Sequence, residues 1–329
     1  MIDLKQYAED NRIVEMRSGS HLYGLNTEDS DEDFVGIFLP PEEYVLGLKN
    51  VNEIDLSKVE KDASGKNTKD SVDRKLYEFR KFINLALANN PNILELLFTP
   101  EDNITYINTI GERLLAINHL FPSKLCADKF VGYAKSQKHK MVVKRDHFNE
   151  LRQAKSVLES LEPKLTMAEV YNCCDDQYYP DPTTSKRLFW KKVESFHVRV
   201  ADLCFEPGIY VKKALKKING RLDKVTNRSE LVLKHGLDVK FASHLIRLLS
   251  EGLFLLDYGY LEFPLPNKEE LLDIKLGKWS LDEILERSSE LETLLDESLA
   301  RSKLPKTPYY NEIEVFTIEQ MREYLFGRS

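Results

Sequence analysis

Two neighbouring stretches carry residue types that can do chemistry. They are Ser18-Gly19-Ser20-His21-Leu22-Tyr23-Gly24 and Ser30-Asp31-Glu32-Asp33-Phe34-Val35-Gly36. Asp31 and Asp33 lie two residues apart at the entry to a β-type run. Period-2 alternation puts both carboxylates on one face. Oxygen pairs of this kind suit Mg²⁺, which takes one or two carboxylates and completes its shell with waters and substrate phosphates. A glycine at 19 lets the backbone approach a phosphate, and free N–H groups with the Ser20 hydroxyl can hold its oxygens. Taken alone, the run from Glu28 to Asp33 reads as a solvated acidic turn, and a lone Gly-Ser says less still. Their order and spacing together favour phosphoryl chemistry over that plainer reading.

A two-metal site needs a third carboxylate. Asp73 opens the run Asp73-Arg74-Lys75-Leu76-Tyr77, where alternation groups Asp73, Lys75 and Tyr77 on one face and Val72 and Leu76 on the other. A polar face opposite an apolar one fits a strand with one side in a cleft. Asp70 and Glu78 are rivals, and Glu78 has the opposite parity from Asp73.

These groups must be held by ordered elements. Ile2 to Glu9 reads as a short helix, Ile13–Arg17 as a strand broken by Gly19 and Ser20, and Asp33–Leu39 as a second strand closed by Pro40 and Pro41. Ser57 to Lys69 is a polar loop with Gly65 at its middle. Val72–Phe79 reads as a third strand and Arg80–Asn89 as a helix ending before Pro91. From residue 121 no strand pattern stands out. Helical periodicity covers Phe148–Leu161, Thr184–Cys204, Ile209–Ile218, Leu237–Tyr258 and Leu281–Leu299, with a Pro-containing loop at Asp175–Thr184. The expected organisation is an α+β domain over residues 1–120 and a mostly helical domain over 121–329.

The two opening motifs resemble the signature of the polymerase-β nucleotidyltransferase superfamily. The fuller pattern, Gly19-Ser20-His21-Leu22-Tyr23-Gly24 with Ser30-Asp31-Glu32-Asp33-x-x-Gly36, resembles the RNA-repair-pathway polymerase-β-like family (RlaP). Tyr77–Phe82, Asn90–Leu97 and His235–Leu249 are also similar to that family. The resemblance implies a polymerase-β-like nucleotidyltransferase fold. It also implies metal-binding carboxylates at Asp31, Asp33 and Asp73, with two Mg²⁺ ions, Mn²⁺ being the alternative. Residues 260–329 carry no motif of the family.

Lys240, His244 and Arg247 recur at i, i+4 and i+7, beside the apolar stripe Phe241, Leu245, Leu248 and Leu249. Such a basic line suits a triphosphate or a nucleic-acid backbone; a solvated face is the plainer reading. Residues 135–145 hold five Lys/Arg, one His and no acid, and residues 211–224 hold six Lys/Arg against one Asp. With Tyr133, Phe148 and Tyr210 nearby, both stretches fit single-stranded nucleic acid. Residues 268–298 reverse the balance, with ten acids against four bases.

Composition sets the limits. The 329 residues are 42% hydrophobic and 31% charged, with net charge −7. That excludes a disordered chain and a non-specific basic coat protein, so any nucleic-acid contact must be local. Cys126, Cys173, Cys174 and Cys204 show no zinc or disulfide spacing. The acidic opening MIDLKQYAED is unlike a secretory signal, and no apolar run reaches membrane length, so a cytoplasmic protein is expected. The expected reaction is transfer of a nucleoside monophosphate from an NTP to a hydroxyl, with a tRNA-like RNA 3′ end as preferred acceptor. The other readings are a protein or small-molecule acceptor, and a non-catalytic nucleic-acid-binding or antitoxin-like protein.

Overall fold

The computed structural model describes residues 2–27, 30–58, 71–173, 190–192, 197–222 and 237–327. The Asp175–Thr184 loop, and all of the Ser57–Lys69 loop beyond Lys58, lie outside the described residues. The chain forms two compact units. One contains residues 1–136, 243–276 and 282–329, and the other residues 137–242 and 277–281. A cut at residue 120/121 is therefore not the division of the compact units. Periodicity could not reveal this, because long helices run through the boundaries at 136/137 and 242/243.

The first unit is built on a five-stranded mixed sheet. Its strands are β1 (Arg12–Arg17), β2 (Glu32–Phe38), β3 (Glu53–Asp55), β4 (Val72–Glu78) and β5 (Ile104–Ile107), in the order β3-β4-β2-β1-β5. The β2–β4 pair is parallel and the other pairs are antiparallel. Ser18 links β1 to the single helical turn α2 (Gly19–Tyr23), which a left-handed Gly24 closes at φ +70°. Helix α1 (Leu4–Asp10) precedes β1, and α3 (Glu42–Val45) follows β2. Phe38 and Leu76 pack with Ala8 and the partly buried Val51, Ile54 and Leu56 on one side of the sheet.

Helix α4 (Phe79–Leu87) continues directly from β4. It starts at Glu78, whose side chain accepts from the Lys81 N–H at 2.8 Å. Glu78 is thus a cap and not a rival to Asp73. Helix α5 (Pro91–Leu97) begins on a proline, which needs no N–H partner in a first turn. Asn108 caps α6 (Thr109–Ala116), accepting from the Ile110 and Gly111 N–H groups.

Residues beyond 260 belong largely to this same unit. They form α11 (Lys268–Lys275), α12 (Leu281–Arg301) and α13 (Tyr310–Phe326). Arg113 on α6 pairs with Glu323 at 2.6 Å, and Phe316 meets Phe79 of α4 with ring centres 6.5 Å apart. The part of the chain without a motif thus packs against the helices of the sheet domain.

The second unit contains most of α7 (Leu125–Glu159), α8 (Met167–Cys173) and a helix over residues 211–222, here α9. It also holds a three-stranded antiparallel sheet: β6 (Trp190–Lys192), β7 (His197–Val200) and β8 (Leu203–Phe205). At its described residues, 190–192 and 197–204, this corrects the helix expected over Thr184–Cys204. The signal was the alternation His197-Val198-Arg199-Val200, in which both valines are buried. Val198, Val200 and Phe205 share a core with Leu151, Met167, Val211 and Ile218. Helix α10 (Val239–Tyr258) opens in the second unit and continues in the first. Among the described residues no helix is long and apolar enough to cross a membrane.

Candidate active site

Asp33 and Asp73 are direct register partners on the parallel strands β2 and β4. Paired residues of adjacent strands point to the same face, and strands lie about 5 Å apart, so two carboxylates emerge side by side. Asp31 stands exposed one residue before β2, two positions from Asp33. Lys75 and Tyr77 share the Asp73 face by alternation, while Leu76 is buried on the other.

The turn beside these acids is tightly specified. The Ser18 N–H donates to the Asp33 carbonyl oxygen at 2.8 Å, tying the start of α2 to β2. Gly19 has φ +62°, and a Cβ there would lie 2.2 Å from Asp33 Oδ2. The Asp33 carboxylate therefore lies over bare backbone, in space that any side chain at 19 would fill. Ser20 follows on the same turn, half-buried.

Asp73 is held from the segment just after the neighbouring edge strand β3. Ser57 donates its hydroxyl to Asp73 Oδ1 at 2.9 Å, and the Arg74 N–H donates to Ser57 Oγ at 3.1 Å. The Ser57 N–H also donates to Asp55 Oδ1 at 2.9 Å. Hydrogen bonds from Ser57 hold the Asp55 carboxyl below its ordinary value. Lys75 pairs with Glu53 at 3.1 Å. Burial works against its charge, but the Glu53 carboxylate outweighs burial and raises it. Burial raises the Tyr77 phenol. The Lys75 cation on this face is thus matched by Glu53.

Asp33 and Asp73 are oxygen donors of the type a hard divalent cation takes, and Asp31 stands apart from them before the strand. Among the described residues no three acids, histidines or cysteines form a ready-made metal cage. A half-open oxygen set beside an uncluttered backbone is what Mg²⁺ uses, since it keeps waters and takes substrate phosphates as ligands.

The basic line on α10 divides. Lys240 is exposed on the first turn, where the Lys240 N–H donates to the capping Asp238 Oδ1 at 3.2 Å. His244 is half-buried. Arg247 is only 3% exposed and lies against two carboxylates. It pairs with Glu95 and, at 3.0 Å, with Glu251. This corrects the expectation of three basic groups on a substrate-facing row. Lys240 is the exposed residue of a first turn whose Val239 and Ala242 are buried, and Glu251 at i+4 is the internal partner of Arg247.

Sequence reasoning missed Ser57, Tyr23, Glu95 and Glu251. Ser57 gave no signal because strand β3 was not read. Glu251 had one, its i+4 spacing from Arg247.

The chain is similar to an uncharacterized 38.9 kDa protein of Enterobacteria phage T4, with 25% identity over 348 positions, covering 95% of this chain and 98% of the phage protein. A crystal structure of a nucleotidyltransferase-like protein from Exiguobacterium sibiricum aligns over 98% of this chain and 78% of that one. Its identity is 9% and its TM-score 0.24, too low to bear on the fold. The model of the RNA repair pathway DNA polymerase beta family (RlaP) matches residues 4–173, a span that contains Gly19, Ser20, Asp31, Asp33 and Asp73. With more than half of its 329 residues matched, the chain belongs to that family of polymerase-β-like nucleotidyltransferases.

Proposed function

We propose that this protein transfers a nucleoside monophosphate from an NTP to a hydroxyl on RNA, using Asp31, Asp33 and Asp73. The observation that carries the reading is the register pairing of Asp33 with Asp73, with Gly19 lying bare beneath the Asp33 carboxylate. Asp31 and Asp33 would hold two divalent cations, with Asp73 completing the set. Bound Mg²⁺ or Mn²⁺ would supply charge neutralisation for the phosphates and lower the pKa of the acceptor hydroxyl.

The residues of the chain supply the rest. The Ser20 hydroxyl and the free N–H groups of the Gly19–Ser20 turn donate to the terminal phosphates. Asp73, fixed by Ser57, takes the acceptor's proton. The acceptor oxygen forms its bond to the α-phosphorus as the α–β bridging bond breaks and pyrophosphate leaves. Lys240 and His244 remain candidates for substrate contact. Arg247 does not, because its charge is used internally.

An RNA acceptor is supported by the face of α9. Lys212, Lys213, Lys216 and Lys217 are exposed there, opposite buried Val211, Ala214 and Ile218. A protein or small-molecule hydroxyl is the second reading, favoured by the net charge of −7. The test is incubation with α-labelled NTPs and Mg²⁺, offering total RNA or total protein in parallel. Label appearing in RNA, and lost with Asp33→Asn, is expected. Label in protein alone would move the acceptor. No label anywhere would end the enzymatic reading.

A further inference from the structure

Tyr23, Glu95, Arg247 and Glu251 meet inside the first unit, none more than 8% exposed. The Tyr23 hydroxyl donates to Glu95 Oε2. Arg247 Nη1 donates to Glu95 Oε1 and to both Glu251 oxygens, at 3.0 and 3.1 Å. The guanidinium also lies over the Tyr23 ring, 4.2 Å from its centre. Phe263 meets the same ring, with centres 6.1 Å apart. Three helices, α2, α5 and α10, thus converge on one polar point.

Burying this many ionisable groups costs more than an apolar core of the same volume, and such groups tend to fix one arrangement where an apolar core would tolerate several. The arrangement here is that of α2. This helix is a single turn, too short to be stable by itself. At its start Gly19 carries a positive φ and supports the Asp33 carboxylate; at its end Tyr23 is clamped by the cluster. Charge balance is consistent with a permanent clamp. Burial, foremost, raises Glu251 well above its ordinary value, and the nearby Glu95 adds to this. Burial opposes the Arg247 charge, but Glu251 and Glu95 outweigh it.

We propose that Tyr23, Glu95, Arg247 and Glu251 are positioning residues that hold the Gly19–Ser20 turn in register with Asp33. The proposal rests on the reading of that turn as the holder of the triphosphate. None of the four is a catalytic residue; they act through the turn.

The reporters are two amides of the turn. The Leu25 N–H donates to the Ser20 carbonyl at 2.8 Å, and the Gly24 N–H to the His21 carbonyl at 3.4 Å. The experiment measures hydrogen exchange at these amides in wild type, Tyr23→Phe and Glu95→Gln, together with the affinity for ATP in Mg²⁺. Tyr23→Phe keeps the ring and loses only the hydroxyl, so it reports even if Glu95→Gln does not fold. Leu271→Ala, a core truncation in α11 outside the cluster, controls for general loss of stability. Exchange at Gly24 and Leu25 roughly tenfold faster in Tyr23→Phe, with a comparable loss of ATP affinity, is expected for a lost bond to a charged acceptor. Unchanged exchange at these amides would overturn the proposal. So would equal loosening in Leu271→Ala, or local loosening with ATP affinity unaltered. Loosening in a protein whose wild type never binds ATP would uphold the clamp and remove the triphosphate reading instead.

Discussion

Asp33 and Asp73 bring two carboxylates side by side, the arrangement that a bound divalent cation would join. Asp33→Asn and Asp73→Asn should each abolish transfer, with a loss of more than about 100-fold, and leave the thermal midpoint equal or higher. Activity assays paired with thermal unfolding check this; survival of activity in either variant would remove the site. Ser57→Ala should be milder, lowering turnover by roughly tenfold as Asp73 loses one bond and its fixed orientation. KM for NTP should stay level in Ser57→Ala, because Ser57 contacts Asp73 and not the Gly19–Ser20 turn. The shared face of Asp73, Lys75 and Tyr77 was legible in the sequence, since alternation along β4 assigns it without knowledge of the fold; the pairing of Asp33 with Asp73 was not, since it needs the sheet. Nor were Ser57 and Arg247. The role of each depends on a partner distant in sequence, Asp73 for the one and Glu95 for the other.

Among the elements, those with strong local patterns were readable: β1, β2, β4 and α4 lie within a residue or two of their expected bounds. The short strands β3 and β5 exist because the sheet supplies partners for their backbone groups, which no local periodicity encodes. The turn α2 sits between the two kinds, announced by its glycine and dependent on tertiary anchors. Gly19→Ala should therefore cost activity and stability together. An alanine at φ +62° is strained by about 1–2 kcal/mol, and its Cβ would also collide with Asp33 Oδ2. Denaturant unfolding and NTP affinity would both register it; an unchanged affinity would argue against close phosphate approach at this turn. Helix α7 offers a check on packing. Burial pushes the Cys126 thiol up to about 12, whereas Cys204 on β8 is exposed. Because only the thiolate reacts, iodoacetamide at about pH 8 should label Cys204 in the folded protein and Cys126 only after unfolding. Peptide mass mapping distinguishes the two.

At the scale of the whole molecule, a net charge of −7 opposes approach to RNA, so any attraction must come from a local field. The second unit supplies one. On α9, Lys212, Lys213, Lys216 and Lys217 face solvent. Arg221, also exposed, is engaged with Asp202, leaving the four lysines as the main source of positive charge on this helix. Lys135 and Lys140 are exposed on α7 as well. If these lysines bind phosphates, each contact releases counterions, and the logarithm of the affinity should fall linearly with the logarithm of salt, by about 0.7 per phosphate on a single strand. Replacing Lys212, Lys213, Lys216 and Lys217 with Gln should flatten that slope and weaken RNA binding most at low salt. The same variant should keep its affinity for ATP in Mg²⁺, because Gly19, Ser20 and the three aspartates are untouched. Binding of a tRNA-like RNA measured across a salt series, in wild type and variant, separates the possibilities. A wild-type protein with no RNA affinity at low salt, which still consumes NTP when offered a protein or small-molecule hydroxyl, would transfer the acceptor assignment to that second class. A variant with an unaltered slope would place the RNA contacts elsewhere than on α9.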